Sequence, residues 1–149
     1  MIILLALALP IHAEPPLVPA ATIVEALVPK SAKIRPRIDI SAIEFQVDST
    51  ELANDRSQEQ VHLLAKALAD PRLANAMVSL VGHASADGDE AHNLDLSQRR
   101  ADAIRTILIR DYHIPETRLA AWGKGEAALL PNLPPESPQN RRVEVIREE

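Results

Sequence analysis

The first alternating pattern along this chain lies in "RIDISAIEF", where Ile38, Ile40, Ile43 and Phe45 are the apolar positions. A period of two predicts a strand, with a small irregularity where the alternation slips after Ile40. The period then becomes helical: Val61, Leu64, Ala65 and Leu68 share one face, Ser57 stands as N-cap, and Asp70-Pro71 ends the segment. This predicts a helix over 57–69. "MVSLVG" follows as a short buried strand, and a longer helix is predicted from Glu90 to Asp111, ending near "YHIP". "RLAAWGKG" then predicts a third strand closed by glycines, and "RRVEVI" a last one. Between them, "EAALLPNLPPESPQN" carries four prolines and suits an ordered irregular loop. The order strand, helix, strand, helix, strand, long loop, strand predicts an α/β sandwich with two main helices packed on one sheet.

Ahead of this unit the pattern breaks down. "MIILLALALPIHA" has an apolar run from Ile2 to Leu9, then Pro10 and Ala13, and is expected to be a secretory signal peptide cut after Ala13, although no Lys or Arg precedes the run. The run is shorter than the roughly 20 apolar residues that span a bilayer. Residues 14–37 carry Pro15, Pro16, Pro19, Pro29 and Pro36 without glycine, and are expected to be an extended, partly polyproline-like linker. The domain is expected over 38–147, with 148–149 as a tail.

Length and composition narrow the picture. A chain of 149 residues, 46% hydrophobic, has room for one domain but not a second. Phe45, Tyr112 and Trp122 are its only aromatic residues, too few for a stacking platform, and a net charge of -5 disfavours nucleic acid and anionic lipid as partners. With no cysteine there is neither disulfide nor thiolate site, nor a lipid-bearing cysteine.

The long helix holds the most informative irregularity. At 100° per residue from Leu96, the apolar positions Ile107, Ile104 and Leu108 centre at about 70°, and Arg100 and Asn93 fall on the same stripe at about 40° and about 60°. Arg99, at about 300°, faces solvent. A guanidinium so placed needs an acceptor: Asp87, Asp89, a carbonyl at the strand end, or a carboxylate from a ligand. Asn93, near a helix start, either braces the preceding loop or walls a site.

"GHASADG" places His83, Ser85 and Asp87 at alternate positions. These are the residue types of acyl transfer, but in a triad the histidine bridges serine and acid with its two ring nitrogens, and this order does not supply the bridge. The G-x-S-x-G elbow is absent as well. The histidines show no paired metal-ligand spacing, so neither metal nor cofactor is expected.

The stretch "GHASADGDEAHNLDLSQRRADAIRTILI" resembles the OmpA-like peptidoglycan-binding domain. That family's motif runs Gly, His or Tyr, Thr or Ala, Asp, a later Gly, then N-x-x-L-S-x-x-R-A-x-x-V-x-x-x-L. Gly82, His83, Ala84, Gly88, Asn93, Leu96, Ser97, Arg100, Ala101, Ile104 and Leu108 stand at the matching positions. "IEFQVDSTEL", "RLAAWGKGE" and "NRRVEV" resemble the family's opening, third and last strands, so the resemblance runs from about Ile38 to Ile146. It implies two helices on a four-stranded mixed sheet, and noncovalent binding of the diaminopimelate residue of the cell-wall stem peptide. It also implies an exported, periplasmic or outer-membrane-associated protein, with peptidoglycan and possible envelope proteins as partners.

By that resemblance Arg100 holds the ligand carboxylate, with Asn93, Ala84 and Leu96 around it. Arg141 and Arg142 carry over from the last-strand motif, one lining the pocket and the other pairing on the sheet. The family's aspartate, which holds the ligand ammonium, is replaced by Ser85. Asp87 faces the same side if the strand continues and is turned to solvent if a turn precedes Gly88. Loss of the carboxylate motivates a second reading: a protein-interaction or scaffold domain of the same fold with weakened or lost wall binding.

Overall fold

A computed structural model describes residues 14–148, so the expected signal peptide lies outside the described residues. The sheet comprises β1 (Arg37–Ile40), β2 (Val78–His83), β3 (Leu119–Gly125) and β4 (Val143–Arg147), in the order β1-β4-β2-β3. β1 and β2 each run antiparallel to β4, whereas β2 and β3 run parallel. A parallel neighbour requires a crossover. Here the crossover is the helix α3 (Glu90–Tyr112), which packs on both strands.

Three helices, rather than two, cover the sheet. α2 (Asp55–Leu68) occupies nearly the expected span, but its N-cap is Asn54, whose Oδ1 accepts the Ser57 N–H at 2.8 Å. Ser57 lies one turn inside, fully buried, where its Oγ accepts the Glu44 N–H at 3.0 Å. α3 opens at Asp89, whose carboxylate accepts the His92 N–H at 2.8 Å. It ends at His113 in the left-handed region, φ 56°, two residues before Pro115.

The unexpected helix is α1 (Ala20–Leu27), inside the segment expected to be an extended linker. Pro19 is its N-cap, where a missing N–H costs nothing, and Pro29 lies just beyond its end. Eight residues show only two turns of periodicity, too little to stand out between prolines. Ile23, Val24 and Leu27 are nevertheless buried in the same core as Leu64, Leu68, Ile104 and Val145. The fully buried Gln60 fastens the approach to α1: its Oε1 accepts the Val18 N–H at 2.7 Å and its Nε2 donates to Val18 O at 3.1 Å. A buried carboxamide is stable only when so paired.

Two boundaries also moved. The first strand stops at Ile40, and Phe45 forms only an isolated bridge to Leu52, because the backbone there turns inward to meet Ser57. Glu148, expected in a tail, is tied to β2: its N–H donates to Met77 O at 2.7 Å and its carboxylate accepts the Ser79 hydroxyl at 2.8 Å.

Leu27 distinguishes an integral helix from a linker. Leu27→Ala should lower the unfolding free energy in urea by about 2–5 kcal/mol, as for other buried leucines. A change below about 0.5 kcal/mol would show that the segment does not pack on the core.

Candidate functional site

The site is assembled where β2 gives way to α3. The strand ends at His83, and the chain is then guided by two backbone bonds: Ala84 N–H to Gly125 O at 2.8 Å and Ala86 N–H to Pro135 O at 2.9 Å. At the turn Gly88 has φ 80°. Asn93, in the first turn of α3, donates from Nδ2 to Asp87 O at 2.8 Å and Ser85 O at 3.3 Å. It therefore braces the loop, as an asparagine at this position can.

Ser85 is 3% exposed. Its hydroxyl donates to Asp87 Oδ2 at 2.9 Å and accepts from Arg141 Nη1 at 3.1 Å. Arg141 also stands 3.6 Å from the Asp87 carboxylate. Asp87 is exposed, as a turn before Gly88 implies, yet it still reaches Ser85. Ala84 lines the half-buried start of this loop, and Leu96 is buried on α3 one turn before Arg100.

Arg100 lies on the stripe that the helical period indicated, half-buried, with its guanidinium 5.0 Å from the centre of the Phe45 ring. Its acceptors are neither Asp87 nor Asp89. Nε donates to Ser49 O at 2.9 Å and Nη2 to Gln46 O at 3.1 Å, both in the loop between β1 and α2. Burial lowers its pKa, the Arg141 charge lowers it further, and Asp48 works in the opposite direction. The guanidinium remains a cation throughout. Asp48, with φ 52°, accepts from His92 Nε2 at 2.6 Å and so joins that loop to the start of α3. No side-chain motif indicates backbone acceptors, so the loop at 45–49 was not legible as part of the site.

The two arginines of the last motif separate cleanly. Arg141 reaches Ser85, whereas Arg142 does not line the site. Its buried guanidinium donates to Asp39 Oδ1 at 3.0 Å, Ala128 O at 3.1 Å and Asn140 O at 3.4 Å. Successive residues of extended backbone point in opposite directions, which is why neighbours have different tasks.

A family model described as OmpA family matches residues 44–142, a span that includes every candidate side chain. The chain belongs to the OmpA family. It is 32% identical over 118 residues to outer membrane porin F of Pseudomonas fluorescens, covering 78% of this chain and 34% of that protein. The chain thus spans about a third of the length of the curated relatives it matches. Among solved structures, the cell wall anchor of the T6SS from Pseudomonas aeruginosa aligns with TM-score 0.61 and 22% identity, over 91% of this chain and 98% of that one. The peptidoglycan-associated lipoprotein from Burkholderia pseudomallei aligns with TM-score 0.58 and 22% identity, over 74% of this chain and 89% of that one. The OmpA-like fold is therefore established for this chain.

Within this OmpA-family domain His83 stands apart from Ser85. Its Nε2 lies 3.0 Å from Glu144 Oε1, and Ser85 donates directly to Asp87, so the three residues of "GHASADG" form no relay. Burial is the main cause lowering the His83 pKa, followed by the Arg142 charge, while Glu144 and Asp39 oppose both. Glu144 also titrates below its ordinary value: burial pushes it up, but the His83 hydrogen bond and the nearby Arg37 outweigh that. A neutral His83 donating to an ionised Glu144 satisfies both directions.

A histidine titrating below its ordinary 6.5 in the folded chain takes up protons later than the unfolded chain does. Stability should therefore be lost as pH falls below about 6.5. His83→Gln keeps a donor for Glu144 and does not titrate, so its thermal midpoint should fall less than the wild type's between about pH 7 and about pH 5. Parallel midpoint profiles for the two proteins would exclude His83 as the source.

Proposed function

We propose that this domain binds peptidoglycan noncovalently, holding the carboxylate of the diaminopimelate residue in the stem peptide through Arg100, and that it thereby tethers or organises the bacterial envelope. Membership of the OmpA family and the names of its structural neighbours, a cell wall anchor and a peptidoglycan-associated lipoprotein, support the general reading. The relative named outer membrane porin F supports an envelope location. The observation that carries the specific reading is the half-buried Arg100, which among the described residues leaves Nη1 unused on the same stripe of α3 as the loop-bracing Asn93, with the Arg141 charge acting on it. The arrangement suits recognition of an anion and performs no chemistry on it.

Arg100 has one terminal nitrogen beyond those donating to Ser49 and Gln46. A charge-assisted bond from a guanidinium to a carboxylate contributes about 1.5–3 kcal/mol, or about 10- to 100-fold in affinity. One observation favours the scaffold alternative: both of the bonded donors of Arg100 are satisfied by the chain itself, so the residue also has a structural task.

Retention on purified diaminopimelate-type peptidoglycan separates the two. The wild type should sediment with the polymer, and Arg100→Ala should reduce retention by about 10-fold or more. Arg100→Lys keeps the charge but lacks the planar fork, and should fall between them. Absence of wild-type retention would sink the binding reading and leave the scaffold role. Full retention by both variants, with circular dichroism unchanged, would place the binding surface elsewhere.

A further inference from the structure

We infer that the exposed loop between α1 and β1 is a docking surface for an anionic phospholipid bilayer, with Lys30, Lys33, Arg35 and Arg37 on the headgroups and Ile34 among them. The loop lies at the opposite end of the sheet from the Arg100 site, and its role stands independently of the peptidoglycan reading.

The net charge of -5 is unevenly spread along the chain. No Asp or Glu occurs between Glu25 and Asp39, whereas Lys30, Lys33, Arg35 and Arg37 all fall there. The acidic excess therefore lies wholly outside this stretch, and the repulsion of anionic surfaces expected from the average charge does not describe it. The two flanking acids are engaged by other cations: Glu25 pairs with Arg72 at 2.8 Å and Asp39 with Arg142 at 3.0 Å.

The fold displays the stretch as a closed loop. Arg147, at the end of β4, donates its N–H to Pro36 O at 2.9 Å and its Nη1 to Leu27 O at 3.3 Å, so one residue holds both ends. Every residue from Lys30 to Arg35 is exposed, and Ile34 is 71% exposed in the midst of the cations. Among the described residues Lys30 and Lys33 form no ion pair. Arg35 pairs with Glu148 at 3.1 Å and Arg37 with Glu144 at 3.4 Å, yet the two arginine side chains stay 60% and 65% exposed. A fork of five N–H donors can take a phosphate oxygen as well.

Cations alone suit any polyanion. An apolar side chain set among them suits the boundary between anionic headgroups and acyl chains, which favours a bilayer over a soluble partner. Arg147 lies opposite Val78 at the start of β2, whereas the other end of β2 leads into the Ser85 loop. A chain docked through residues 30–37 thus presents the Arg100 site away from the bilayer.

The test is co-sedimentation of the full chain with phosphatidylcholine vesicles, prepared with and without about one-third phosphatidylglycerol. The wild type should bind the anionic vesicles about 10-fold or more tightly than the neutral ones, and should lose that excess as NaCl rises from about 0.05 M to about 0.5 M. Lys30→Gln with Lys33→Gln should weaken binding to the anionic vesicles by about 10-fold or more, and Ile34→Ser by about 3-fold. Lys30→Arg with Lys33→Arg keeps both charges and should bind as the wild type does. The apolar run from Ile2 to Leu9 is common to all these chains and indifferent to lipid charge. Because the substituted side chains are exposed, circular dichroism and behaviour toward peptidoglycan should match the wild type's. The inference is overturned by absent binding to the anionic vesicles, by equal binding to both kinds, or by undiminished binding of the double glutamine variant. It is also overturned, in favour of a soluble polyanion, if Ile34→Ser binds like the wild type and polyglutamate competes as well as the anionic vesicles do.

Discussion

The close approach of α3 to the sheet is the constraint on which the rest of the structure depends. A Cβ at Gly82 would lie 2.4 Å from Ser97 O, and one at Gly123 would lie 2.3 Å from Gln98 N. Backbone therefore meets backbone on both β2 and β3, and α3 has no freedom to rotate or lift. Ser97 and Gln98 use that proximity. Ser97 Oγ accepts the Gly125 N–H at 2.8 Å, while Gln98 accepts from Gly123 N–H at 2.8 Å and donates to Ala121 O at 3.1 Å. Polar groups along β3, a strand at the sheet edge, are thus taken up by the helix itself, a protection against pairing with other chains. Asn93 and Arg100 take their positions from the same seating.

Around that helix the arginines divide between holding the fold and facing outward. The half-buried Arg118 donates to the carbonyls of Leu68, Leu73 and Ala76, and the buried Arg142 to Asp39 and two carbonyls, so each guanidinium has several acceptors. Arg100 is intermediate. It holds the loop at 46–49 in place through the carbonyls of Gln46 and Ser49, and keeps Nη1 unused among the described residues. The pairing of Asp48 with His92 closes the same loop onto α3, although an exposed pair of this kind contributes little stability by itself.

Much of this was legible from residue order. The strands in "MVSLVG" and "RLAAWGKG", both main helices and the Arg100 stripe depend on local periods of two or 3.6 residues, which any unbroken segment displays. α1 was hidden because eight residues between prolines carry too short a period. Its helical state follows from burying Ile23, Val24 and Leu27 against α2 and the sheet. The Ser57 cap was displaced for a related reason: Asn54 and Ser57 are both good caps, and the loop bringing Glu44 to Ser57 favoured the earlier one.

The sequence by itself determined the order of the four strands and two main helices and the buried-side position of Arg100, and left Asn93 either bracing the loop or walling a site. Only the tertiary structure decided what those groups touch. Arg100 finds carbonyls 51 and 54 residues earlier in the chain, and Ser85 finds Arg141 56 residues later. Periodicity states which way a side chain points from its own backbone, but its hydrogen-bond partners come from segments that meet only when the core closes. Backbone carbonyls, which every residue carries, leave no mark in the order of side chains.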